Sequence, residues 1–212
     1  MLSDMPHLSS TAETLFLDHI TGRASWTVPT NTFISLHDGH PGETGANEIT
    51  GGSYARQQAS WAAAASGAIS TNTLETWTDM PAGDVLFWGI WTLVTGGVFY
   101  WGDPIGGTPY TFSAEDTGDV FTSYGHALVN DQRLYVANDP GGAALPSGVS
   151  EDTVYWVVGV SGDTFQVSLT EGGGAVALTA DGNGIAYFID AKNVNGGDDF
   201  EIASGNLTLR VN

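Results

Sequence analysis

The 212-residue chain has no cysteine. Disulfides and thiolate metal sites are therefore excluded, and the redox compartment is left unspecified. Cations are nearly as scarce, with five Lys and Arg against 24 Asp and Glu and a formal charge of −19. Tracking a phosphate backbone needs clustered Lys and Arg to displace counterions, so nucleic-acid binding is excluded, and an anionic membrane surface is disfavoured for the same reason. Long apolar runs are missing as well. The longest, Val85 to Val94, contains Gly89 and Thr92 and is too short to span a bilayer. Residues 1–10 carry neither a basic segment nor an apolar one, so no secretory leader is expected.

What is present reads as a folding chain. Apolar residues make up 42% and aromatics 11%, with seven Trp, enough to build a core in one large or two small domains. The 29 glycines are about twice the usual share, which suits many tight turns between short strands. The negative charge favours solubility and keeps free copies apart until salt or cations screen them.

One helix is expected. Ala12, Leu15, Phe16, His19 and Ile20 share a face at helical spacing, Ser10 with Glu13 forms a capping-box pattern, and Gly22 fits the residue after the C-cap. His19 is expected on the buried face, hydrogen-bonded. The remainder reads as β. Ile34 and Leu36 lie on one face of a strand, and 62–65 reads as strand edge or loop. Glu75 to Met80 and Val85 to Val94 read as strands around Pro81-Ala82-Gly83-Asp84, the second buried on both faces. Val98 to Trp101 returns after Gly96-Gly97 as a hairpin. Phe165, Val167 and Leu169, and later Leu207, Leu209 and Val211, alternate with polar residues, the mark of half-wet strands. Gly172 to Gly174 and Asp181-Gly182-Asn183-Gly184 carry turn chemistry.

The most distinctive stretch is Phe33 to Gln57, FISLHDGHPGETGANEITGGSYARQ. A hydrophobic strand enters a loop whose glycines supply positive φ, and the loop leaves through Gly51-Gly52 into Ser53-Tyr54-Ala55-Arg56-Gln57. The segment PGETGANEITGGSYARQ resembles the signature of tailed-bacteriophage virion proteins of the tail-fibre or minor structural type. Leu17-Asp18-His19-Ile20-Thr21-Gly22, Thr76-Trp77, Gly89-Ile90-Trp91, Thr95-Gly96-Gly97, Trp101-Gly102 and the closing Gly205-Asn206-Leu207-Thr208-Leu209 are similar to segments of the same family. The piece from about Ser113 to Phe188 is similar to a small β module of phage structural proteins. The resemblance therefore implies a mostly β chain: a sandwich-like parent domain with one N-terminal helix (1–113 and 189–212) and an inserted β module (114–188). Insertion is permitted where the ends of a module lie close together. Within the loop, the residues expected to carry structure are Pro41, Gly42, Gly45, Asn47, Gly51, Gly52, Tyr54 and Arg56.

Chemistry is sparsely signalled. His37-Asp38-Gly39-His40 brings two imidazoles and a carboxylate together without a third or fourth ligand nearby, so a polar solvated loop is the preferred reading over a metal site. The pairs Glu115/Asp116, Glu151/Asp152 and Asp198/Asp199 lack any calcium-loop pattern and read as turn acids. Loosely held divalent cations stay open on charge alone. His126 sits in a turn and is given no chemical role. Gly52-Ser53-Tyr54 lacks the second glycine of a nucleophile turn, and no glycine cluster is followed by the lysine of a phosphate loop. No catalytic residue, metal or cofactor is expected. Arg56 is expected to pair with Glu43 or Glu48 and pin the loop. Trp77, Trp88, Trp91 and Trp101 read as core. Tyr124, Tyr135, Tyr155 and Trp156 are the candidates for ligand or partner contact, with one or two of them exposed.

The resemblance implies a virion component assembled in the host cytoplasm and released by lysis. Its implied partners are further copies of itself, as a trimer, other virion proteins and, as a candidate ligand, host-surface glycan. Tail or tail fibre is the leading location. Capsid decoration and a carbohydrate-binding adhesin are the alternatives.

Overall fold

The computed structural model describes residues 8–27, 29–139 and 141–210. They form two compact units, one of residues 8–103 with 192–210 and one of residues 104–191.

The first unit begins with α1 (Ser10–Ile20). Its N-cap is Ser9 rather than Ser10: the Ser9 side chain accepts from the Ala12 N–H at 3.3 Å while Glu13 occupies the first turn. Gly22 follows the C-cap at φ 71°. The expected buried face is not formed. Ala12 alone is buried in this helix, and Phe16, Leu17 and Ile20 are exposed. The reason is where the helix is tethered. Ser9 donates from its hydroxyl to Phe99 O (2.6 Å) and from its N–H to Tyr100 O (2.9 Å), so only the first turn docks. His19 is accordingly exposed and not a core histidine; its Nδ1 accepts from the Trp26 N–H at 3.3 Å.

Strands β1 (Phe33–His37), β2 (Gln57–Gln58), β3 (Ala68–Ser70), β4 (Glu75–Trp77), β5 (Gly83–Val85), β6 (Phe87–Trp91) and β7 (Phe99–Pro104) follow. A four-stranded sheet runs in the order β2-β1-β6-β7. β1 and β6 pair antiparallel, Ile34 opposite Ile90 and Leu36 opposite Trp88. The run expected as a single strand from Val85 to Val94 is divided: Val85 ends β5, β6 (FWGIW) is buried throughout, and Leu93 and Val94, in the turn beyond it, are exposed. Residues 62–65 form loop with a single isolated bridge, Ala65 to Ala68. Trp77, Trp88, Trp91 and Trp101 are all core.

The second unit carries β8 (Thr108–Glu115), β9 (Val120–Thr122), β10 (Arg133–Ala137), β11 (Val154–Ser161), β12 (Thr164–Ser168) and β13 (Gly182–Ile189). These six close into an antiparallel barrel, β10-β11-β12-β9-β8-β13. Phe112, Phe121, Leu134, Val136, Val157 and Phe165 belong to its core, with Phe121 stacked on Phe165 at 5.3 Å. Closure removes the open sheet edges that a small β unit would otherwise expose. Two sequence expectations fail here. Gly182, Asn183 and Gly184 are not a turn; they pair with Ala114, Ser113 and Phe112. A side chain at Gly182 would collide with the backbone of residues 144–146, and one at Gly184 with Leu145, Ala137 O and Phe112, so these glycines serve close approach within a strand. Leu169 lies beyond the end of β12 and is exposed.

The chain returns to the first unit as β14 (Lys192–Val194), β15 (Phe200–Ile202) and β16 (Thr208–Arg210), which pair with β5, β4 and β3 respectively. Leu207 is buried; Val211 falls outside the described residues.

Candidate functional site: a locked loop and an exposed aromatic

The loop after β1 is folded back on its own strand. Asp38 N–H donates to Asn47 O (3.1 Å) and Ile49 N–H to Leu36 O (3.0 Å), while Ala46 N–H closes onto Pro41 O at 2.7 Å. Asn47, at φ 55°, donates from Nδ2 to His40 O (2.7 Å). Gly45, at φ 71°, lies so close to Trp91 and Phe99 that a Cβ would collide with both rings. Gly52, at φ 56°, is pressed equally close to Asp79 O. Gly42 and Gly51 are the other positive-φ glycines of the loop.

Arg56 locks this arrangement. Its Nε and Nη2 donate to Glu48 Oε1 and Oε2 at 2.8 and 2.7 Å. Its Nη1 donates to Leu93 O (3.0 Å) and Gly96 O (2.7 Å) in the β6–β7 hairpin. The guanidinium carbon lies 3.5 Å over the Trp91 ring. Planar fork, bidentate carboxylate and aromatic face are what arginine alone combines. Glu48 is thus the partner; Glu43 instead accepts from the Ser10 N–H at 2.6 Å, tying the loop to α1. Tyr54 O–H accepts from the Leu36 N–H (2.8 Å) and reaches Glu48 Oε1 (3.2 Å), and burial raises its phenol above the ordinary range.

His37 is fully buried, so the solvated-loop reading does not hold at this residue. Its Nδ1 donates to Ala46 O (2.7 Å), leaving Nε2 to accept from Ser35 Oγ (2.7 Å), which in turn accepts from Trp91 Nε1 (3.0 Å). This chain fits the neutral imidazole, and burial lowers the pKa from 6.5 to about 4. His40 packs edge-on against Phe87 at 5.2 Å, its Nδ1 accepting from the Gly42 N–H. Among the described residues no group of three His, Cys, Asp or Glu could hold a metal.

The carboxylate pairs mostly serve turns. Glu151 accepts from Asn138 N–H (2.8 Å), Asp199 from Asp79 N–H (3.1 Å) and Asp198 from Asn195 Nδ2 (3.0 Å). In the barrel unit, Tyr135 is buried and stacks on Tyr187 at 4.8 Å, and Tyr155 is buried with its hydroxyl accepting from Ser150 N–H. Trp156 is part-buried under the Arg133 guanidinium, 4.4 Å from the ring centre. Tyr124 is 87% exposed on a turn held by Asp163, which accepts from Ser123 N–H through its carbonyl and from Gly125 N–H through its carboxylate.

Three features had no linear signal. The hairpin carbonyls that Arg56 holds lie 37 and 40 residues away, and the Arg133–Trp156 stack joins two neighbouring strands. Part-buried Asp103 has its carboxyl raised by burial from 3.8 to about 7.

These observations describe a mostly β protein whose distinctive loop is held together by its own side chains and backbone. The family model for podophage GP4 fiber I protein gp80 matches residues 7–124, more than half of the chain, and the chain belongs to this family of phage fibre-type virion proteins. The matched span covers α1, the locked loop and β1 through β9, ending at Tyr124. No curated protein sequence matches.

Proposed function

We propose that the chain is a non-enzymatic part of a phage tail or tail fibre, assembled as a trimer through the loop-bearing unit and presenting the barrel unit for particle assembly or host contact. Family membership over residues 7–124 carries this reading. The locked loop supports it, because Glu48, Arg56, Tyr54 and His37 are all engaged in holding structure. Repeated copies would make weak contacts add up through avidity. The protein would act on released particles after lysis. Antibody fragments raised against the barrel should label the tail of intact particles. Labelling of the capsid shell would support decoration instead, and labelling of neither would defeat both.

A second reading, carbohydrate-binding adhesin, is favoured by one observation, the exposed Tyr124 ring, since an aromatic face stacks on the apolar face of a sugar. Tyr124→Ala should then abolish retention on host-surface glycan while leaving the melting curve unchanged. Unchanged retention would remove this reading.

A further inference from the structure

The chain contains two Asn-Gly steps, Asn183–Gly184 and Asn195–Gly196, and the fold treats them oppositely. Asn183 is fixed in β13 opposite Ser113, its N–H donating to Ala144 O at 3.2 Å. Gly184 beside it is packed against Leu145, Ala137 and Phe112. Asn195 is exposed, in a turn closed by Asp198 N–H donating to Asn195 O at 3.1 Å, with Gly196 and Gly197 (φ 89°) at its centre. Glycine leaves the following nitrogen unscreened by a Cβ and its backbone free to rotate.

We propose that Asn195 is a spontaneous deamidation site. The backbone nitrogen of Gly196 attacks Asn195 Cγ; the N–Cγ bond forms, the Cγ–Nδ2 bond breaks, and Nδ2 leaves as ammonia with the amide proton. The cyclic imide then takes up one water at either carbonyl, giving aspartate or isoaspartate. Nothing is oxidised or reduced, and water is the only co-reactant.

The position gives this change a structural consequence. Asn195 Nδ2 donates to Asp198 Oδ2 at 3.0 Å; conversion removes the donor and sets a second carboxylate against the first. Isoaspartate also adds a methylene to the backbone of a turn pinned at both ends of Met80, through Gly197 N–H to Met80 O and Met80 N–H to Asp198 O, each 2.9 Å. The turn joins β14 to β15, so the β14–β5 and β15–β4 ladders are the elements that loosen.

The test is to age the purified full chain in mildly alkaline buffer, native and denaturant-unfolded in parallel, and to read each Asn by peptide mass spectrometry with isoaspartate detection. Expected are conversion of Asn195 alone in the native sample and of both residues in the unfolded one. Asn195 staying intact while the unfolded chain converts, or Asn183 converting as fast natively, would overturn the proposal. Gly196→Ala provides the second arm. A Cβ there meets Ala82 at ordinary contact distances of 3.7 and 3.8 Å, so the fold is kept and conversion should be suppressed. Unchanged conversion in that variant would exclude the imide route. Hydrogen exchange on the aged protein should show faster exchange in 75–77, 83–85, 192–194 and 200–202, and unaltered exchange there would contradict the coupling to the strands.

Discussion

At the scale of single residues, Arg56 and His37 illustrate how polar groups inside the first unit are made tolerable. Arg56→Ala would leave Glu48, whose side chain is 20% exposed, without its bidentate partner and free the hairpin carbonyls of Leu93 and Gly96. The expected loss is about 3 kcal/mol by urea unfolding, since removing one half of a largely desolvated pair strands the other. Arg56→Lys should recover little, because a point charge cannot serve Glu48, two carbonyls and the Trp91 face together. Loss no larger than a surface pair gives, under about 1 kcal/mol, would mean the lock is ornamental. His37 makes a pH-dependent contribution. In the unfolded chain it protonates near 6.5, whereas in the folded chain it stays neutral down to about 4. The unfolded state therefore binds more protons in that window, and this stabilisation is full above pH 6.5 and lost as pH falls towards 4, about 3 kcal/mol in all. Asp103 acts in the opposite sense: with a folded value of about 7 against 3.8, its contribution is full below 3.8 and declines as pH rises through 7. The two slopes oppose each other between pH 4 and 6.5. Asp103→Asn should therefore steepen the rise of stability with pH across that window. An equally flat profile in the variant would contradict the assignment.

At the scale of elements, the patterns that survived were those in which one local rule dominates. Within the run Val85 to Val94 the part that forms β6 is buried throughout, while Leu93 and Val94 are exposed where the chain turns, and the hairpin there follows from Gly96-Gly97. The helix was legible in existence but not in orientation, because its spacing specifies a face while its docking is set by Ser9 and residues 99–101, some 90 positions away. Turn chemistry misled at Gly182 to Gly184, where glycine answers a close approach of residues 144–146 that the local sequence does not announce. The loop's locking was half legible: the charge of Arg56 pointed to a carboxylate, but Trp91 and the hairpin carbonyls meet it only in the fold. Two substitutions check the packing. Gly184→Val should prevent β13 from seating against Leu145 and Phe112, giving a chain without a cooperative melting transition in the barrel. Phe121→Ala, removing a ring packed between Phe112 and Phe165, should cost about 3–5 kcal/mol. Retention of the wild-type midpoint by either would show that the barrel core lies elsewhere.

At the scale of the whole molecule, an acidic chain with a charge of −19 belongs to a phage fibre family, and its most distinctive sequence is spent on holding a loop. A charge of that size repels free copies, so the proposed self-association as a trimer is expected to weaken at low ionic strength and strengthen as salt screens it. Sedimentation at two salt concentrations reads this directly, and a monomer at both would count against self-association outside the particle. The most direct measurement is a cryo-EM reconstruction of the intact phage particle that carries this chain. The account predicts density for the locked-loop unit in symmetric copies on the tail, with the barrel facing outward. Copies on the capsid shell, or none in the particle, would contradict it.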